Sequence, residues 1–204
     1  MDRQASGMVR AVKEMTGVDL RQLDRAAEEL QHAREASAAL GDAKVPAETR
    51  RHWSDFLIHL QRFYTRLEQA TKHSSLKGWY DLLKHDRRAD PLLRYLHQAR
   101  HADEHGLEDV LDEAVADISI DPQPGHDVHI REISTDDRGR LTKFDVSGNV
   151  TVHTHIVLAP VINRGEAFEV PATFCGKPVE RTPQAFAKAA IDHFIDKIGE
   201  VTGA

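Results

Sequence analysis

The chain has little of what announces the common chemistries. Its single cysteine, Cys175, excludes an intrachain disulfide framework and any cysteine-rich zinc site, and it fits a reducing compartment. A small buried filler is the expected role for that thiol. No stretch of about 18 apolar residues occurs, so a membrane-spanning helix is not expected and no membrane partner is proposed. Residues Met1 to Gly7 lack the basic start and apolar run of a signal peptide, which places the expected location in the cytoplasm. There is no glycine-rich phosphate loop, no nucleophile elbow and no internal repeat, and no cofactor is expected. Basic excess is missing too. A net charge of -6 argues against broad electrostatic capture of nucleic acid.

What is present describes a globular protein. With 204 residues, 40% hydrophobic and 29% charged, the chain can form one large domain or two small ones. The periodicity of its apolar residues changes near residue 115. Before that point, Leu20, Leu23, Ala26, Ala27, Leu30 and Ala33 recur at helical spacing until Gly41-Asp42. A second helix enters at Pro46 and carries Trp53, Phe56, Leu57, Leu60, Phe63, Tyr64 and Leu67 to about Lys72. A shorter one around Leu76 to Lys84 carries Trp79, Leu82 and Leu83, and another opens with Asp90 as N-cap and Pro91 in its first turn. The helical spacing of the aromatics favours core packing over a base-stacking platform. Met8, Val9, Val12 and Met15 fit either a first helix ended by Gly17 or an arm that docks on a partner.

After residue 115 the pattern turns to strands, at Asp117 to Ile120, Val128 to Ile133, Leu141 to Val146 and Val150 to Leu158. Asp137-Arg138-Gly139 and Gly148-Asn149 read as turns between them. Another turn falls at Val161 to Gly165. A last helix starts at Thr182-Pro183 and buries Phe186, Ala190, Phe194, Ile198 and Val201, most simply against one face of the sheet. The expected class is therefore α+β: an antiparallel helical bundle over residues 1–115, then an antiparallel β-meander with a C-terminal helix over 116–204.

One short segment concentrates chemistry. In Arg100-His101-Ala102-Asp103-Glu104-His105-Gly106 an arginine fork, suited to a phosphate oxygen, stands near a histidine that titrates close to neutral pH. At helical spacing Leu93, Leu96 and Arg100 share a face, which turns Arg100 toward the packed side or a cleft. A covered arginine needs an anion, and Glu104 is an internal candidate beside a bound phosphate. Gly106 fits a C-terminal cap, and the last helical turn would favour protonated His105. A helix-capping role accounts for that histidine equally well. Lys84-His85-Asp86-Arg87-Arg88 and Arg94 make the surroundings more basic than the chain as a whole. His153 and His155 share one face of a strand near His126, Asp127 and His129, but they fit no zinc signature and read as exposed strand residues. No metal site is expected.

The run from Arg100 through His101 to His105 resembles the arginine, polar residue, three variable residues and histidine motif of HEPN domains, over roughly residues 20 to 110. Asp90 to Gly106 also resembles a segment of uncharacterised bacterial proteins with the same helix-then-strand layout, a likeness that brings no activity. The HEPN resemblance implies a helical-bundle homodimer and a metal-independent endoribonuclease of the toxin or phage-defence kind. By that resemblance Arg100 would stabilise phosphate charge, His105 would act as acid or base, and His101 would orient Arg100 or the phosphate. Attack by the adjacent 2′-hydroxyl would leave a cyclic phosphate end. Lys84, Arg87, Arg88 and Arg94 are the residues expected to bind RNA, and a protein partner or antitoxin is a further expectation. Asp103 and Glu104 would repel a phosphate or pair with Arg100, and many HEPN-like domains are non-catalytic dimerisation or interaction modules, so both functions stay open.

Overall fold

The computed structural model describes residues 17–105, 110–121, 129–137, 139–146 and 149–202. The proposed N-terminal arm or helix, the Gly106 cap, His126 with Asp127, and Arg138 and Gly148 of the expected turns lie outside the described residues. The class is α+β, with helices first, antiparallel hairpins next and a helix at the end. Among the described residues no helix is long and apolar enough to cross a membrane.

Helix α1 (Leu20–Asp42) begins where the Asp19 carboxylate accepts the Gln22 amide at 3.2 Å, satisfying one of the free donors of the first turn. Helix α2 (Pro46–Thr71) has proline in its first turn, and Glu48 accepts the Lys44 amide at 3.0 Å. Its apolar stripe buries Trp53, Phe56, Leu57, Leu60, Phe63, Tyr64 and Leu67. Helix α3 (Lys77–Ala89) buries Tyr80 and Leu83, whereas Leu82 points into solvent because adjacent helical positions diverge. Helix α4 (Pro91–His105) is capped as expected. Asp90 Oδ1 accepts the amides of Leu92 at 2.8 Å and Leu93 at 3.1 Å, and Oδ2 accepts the amide of Cys175 at 2.9 Å. One side chain thus starts a helix and ties it to a distant turn.

Strand β1 (Leu111–Asp121) pairs antiparallel with β4 (Asn149–Leu158), from Leu111 opposite Leu158 to Asp121 opposite Asn149, with an irregularity between Val115 and Asp117. The hairpin of β2 (Ile130–Thr135) and β3 (Leu141–Val146) is nested between these two strands in the chain. The strands therefore pair outermost with outermost and innermost with innermost, where a meander joins successive neighbours. Two further hairpins follow. Strands β5 (Val161–Asn163) and β6 (Glu166–Phe168) turn at Arg164-Gly165, and β7 (Thr173–Phe174) and β8 (Lys177–Pro178) turn at Cys175-Gly176. Both central residues of each turn have positive φ (52° and 81°; 47° and 74°), the geometry whose twist matches that of the flanking strands. Cys175 is consequently exposed at a hairpin tip, not a buried filler.

Helix α5 (Pro183–Thr202), capped by Thr182, does not cover a sheet face as its sequence leads one to expect. It returns to the bundle. Phe194 meets Phe63 at 5.3 Å and Tyr64 at 5.2 Å between ring centroids, and Phe186 stands edge-on to Tyr95 at 5.8 Å. Gln184 also donates to the Leu40 carbonyl at 3.2 Å. The reason lies in the available surface. Among the described residues the ribbons bury apolar side chains only near one end, at Leu111, Ala114, Ile156 and Leu158, while the bundle offers the aromatic side chains of α2 and α4 and the aliphatic ones of α1. The buried cluster accordingly draws residues from both sides of residue 115. Arg50 joins ribbon to bundle by donating to the Leu111 carbonyl at 3.1 Å, and Asn163 donates to Gln98 at 2.6 Å.

Phe194→Ala is expected to cost about 3–5 kcal/mol of stability, as large-to-small changes in a packed core do. Ile130→Ser, on the exposed ribbon, should change it by no more than about 0.5 kcal/mol. Urea unfolding of the two variants beside the parent checks both values.

Candidate functional site

Helix α4 presents two faces. Leu92, Leu96, Ala99 and Ala102 are buried in the core, and His97, Arg100 and His101 line up at three- and four-residue spacing along a neighbouring stripe. Arg100 lies toward the packed side, as its helical phase predicts, with a side chain only 16% exposed. Its Nη1 stands 3.9 Å from Oδ2 of Asp103, an electrostatic pairing at a distance too long for a hydrogen bond. Asp103 is itself held from α2, where the Ser54 hydroxyl donates to the same oxygen at 2.8 Å. The anion described beside Arg100 is thus Asp103. Asp103 is one of the two carboxylates expected in that role; the side chain of the other, Glu104, lies outside the described part of the structure, as does the side chain of His105.

Arg100 borders a recess shared with Gln61, Tyr64, Arg87 and His97. Its enclosed volume is about 10 Å³, room for roughly one water. Apolar walls from Leu57, Leu60, Leu93 and Leu96 limit its size. Arg87 reaches it from the last turn of α3 and lies 4.6 Å over the Tyr64 ring, a cation–π contact that orients the guanidinium. Burial holds the Tyr64 hydroxyl far above the ordinary tyrosine range, so it remains protonated.

His97 is the titratable group at the centre of this arrangement. Its ring is edge-on to His101 with centroids 4.7 Å apart, and its Nδ1 is buried without a hydrogen-bond partner. Burial, followed by the positive field of Arg87, His101 and Arg88, pushes its pKa down to about 4. At neutral pH His97 is therefore an uncharged ring in the recess that Arg87 and Arg100 also line. The sequence reading passed over it, although its position three residues before Arg100 on the same face was the signal that could have found it.

The remaining predicted residues divide. Arg87 lines the recess, and Arg88 is exposed nearby and contributes to the field on His97. Lys84 pairs instead with Glu68 at 2.9 Å, and exposed Arg94 lies 5.8 Å from the Phe168 ring on β6. The structure does not gather all four cations around Arg100. His153 and His155 are exposed on β4, opposite Asp117 and Ala114, and His129 is exposed ahead of β2. Trp53, Phe56, Phe63, Tyr64, Tyr80 and Tyr95 are buried, which leaves no stacking platform among them. Comparison of the chain with family models, with curated proteins and with solved structures gave no match.

The depressed pKa of His97 has a pH signature. In the unfolded chain this histidine binds a proton near pH 6.5, whereas the folded one stays neutral down to about pH 4, so stability falls as pH drops through that window. His97→Gln should remove this component and flatten the dependence. His193, also lowered by burial, leaves a residual slope of the same sign. Urea midpoints measured from pH 7 to pH 4 for parent and variant give the difference.

Proposed function

We propose that this chain is a non-catalytic HEPN-like module, dimeric through its helical bundle, whose β-hairpins engage another protein. The observation that carries this reading is the setting of Arg100: largely covered, facing an aspartate that Ser54 holds in place, beside a recess the size of a water. An arginine serving a phosphodiester needs an open approach for the anion, and a carboxylate beside it raises the electrostatic cost of bringing one in. Neutral His97 adds no compensating charge. A binding role for the hairpins is supported by Ile130, Ile133 and Phe144, exposed apolar residues on the β2–β3 ribbon, where Ile133 and Phe144 stand opposite each other.

The test is incubation of a mixed RNA pool in EDTA with the parent, Arg100→Ala and His105→Ala, followed by end-group analysis, together with sedimentation equilibrium of the parent. The expected result is a dimer that leaves RNA intact. Cleavage giving cyclic phosphate ends and lost in both variants would instead establish the endoribonuclease reading, and a monomer at all concentrations would remove the dimeric one.

A further inference from the structure

Away from the Arg100 recess, the α1–α2 hairpin brings together three residues that the role proposed above does not use. Glu29 and His32, one turn apart, project from the same side of α1, and His59 meets them from α2. His59 Nδ1 lies 2.7 Å from Oε2 of Glu29, and the His32 and His59 ring centroids are 5.0 Å apart with planes tilted by 57°. One ligand atom from each residue lies within 4.8 Å of the other two. Among the described residues no other group of three histidine, cysteine or acidic side chains comes together in this way.

We propose that Glu29, His32 and His59 form a mononuclear binding site for a divalent transition-metal ion of the zinc class. Two imidazole nitrogens and one carboxylate oxygen are a donor set that zinc takes at about 2.0–2.2 Å, whereas calcium and magnesium favour oxygen ligands alone. Donors placed tetrahedrally at that radius stand about 3.3 Å apart, between the 2.7 Å of the Glu29–His59 pair and the 4.8 Å within which all three ligand atoms lie, so small side-chain rotations would seat an ion. The hydrogen bond between Glu29 and His59 accounts for two of the residues without a metal. It does not account for the third. His32 is exposed, and together with the other two it leaves a fourth position facing solvent, open to water or a further ligand. Glu29 and His59, with side chains 18% and 24% exposed, are already half-enclosed between the helices. An ion there would clip α1 to α2 and favour the folded state, since the unfolded chain holds no such cluster.

The experiment is titration of the metal-stripped full chain with Zn²⁺ by calorimetry and with Co²⁺ by visible absorption. The expected result is one saturable equivalent with micromolar or tighter affinity, the intense bands of four-coordinate Co²⁺, and a rise in thermal midpoint with Zn²⁺. His32→Ala, at a solvent-facing position that the fold tolerates, should weaken binding at least about tenfold, the range lost even when an outer partner of a metal ligand is removed. His59→Gln should do the same, and the double variant His153→Ala/His155→Ala should leave the site unchanged. Absence of saturable binding, or affinity that survives His32→Ala, or binding that disappears in the His153/His155 variant, would overturn the proposal.

Discussion

The insertion of Phe186 and Phe194 between α2 and α4 is the constraint on which the rest of the molecule depends. These rings meet Phe63, Tyr64 and Tyr95 in edge-on and tilted contacts, burying aromatic groups of three helices against one another. Tyr95 then donates to the Ala159 carbonyl at 2.7 Å, which fixes the exit of β4 against the bundle. Because α4 is packed on its aromatic side, its other stripe can hold His97, Arg100 and His101 in a defined orientation. The chemistry of the motif is thus set by a helix nearly 90 residues further along the chain.

Packing and electrostatics act together at Arg100. The leucines of α2 and α4 close the recess from below, and Asp103, tethered by Ser54, supplies the nearby negative charge. Burial of the His97 ring, and after it the positive field of Arg87, His101 and Arg88, disfavours its charged form. Protonation is what gives way, since His97 can lose its charge near neutral pH and arginine cannot. Arg87 gains the face of Tyr64 in exchange for water.

The hairpins obey a different balance. Away from their junction with the bundle, β1–β4 and β2–β3 are two-stranded ribbons with mostly exposed side chains, an arrangement with little hydrophobic stabilisation of its own. Local devices supply part of the difference. Arg140 pairs with Asp136 at 2.7 Å and Asp112 at 3.3 Å, and Gly139, with positive φ, passes close to Ala114 so that its carbonyl accepts the Val115 amide at 2.8 Å. These contacts tie the turn between Asp136 and Arg140 to the end of β1 that joins the bundle.

Much of the fold was legible locally. The Asp90-Pro91 cap, the Pro46 start, the aromatic stripe of α2 and the turn at Gly165 each follow from the physics of a few neighbouring residues, which is why the α+β class and the helix positions could be read from spacing and composition. The sequence by itself also placed Arg100 on the covered face, because helical phase depends on spacing alone. Partner choice was a matter for tertiary structure. An apolar stripe such as that of α5 does not encode whether a sheet or a helical groove will cover it, and alternating strands do not encode nesting over succession. Likewise, only the fold brings His59 to Glu29 and His32, and Ser54 to Asp103, since these contacts join residues far apart in the chain whose attraction has no periodic signal.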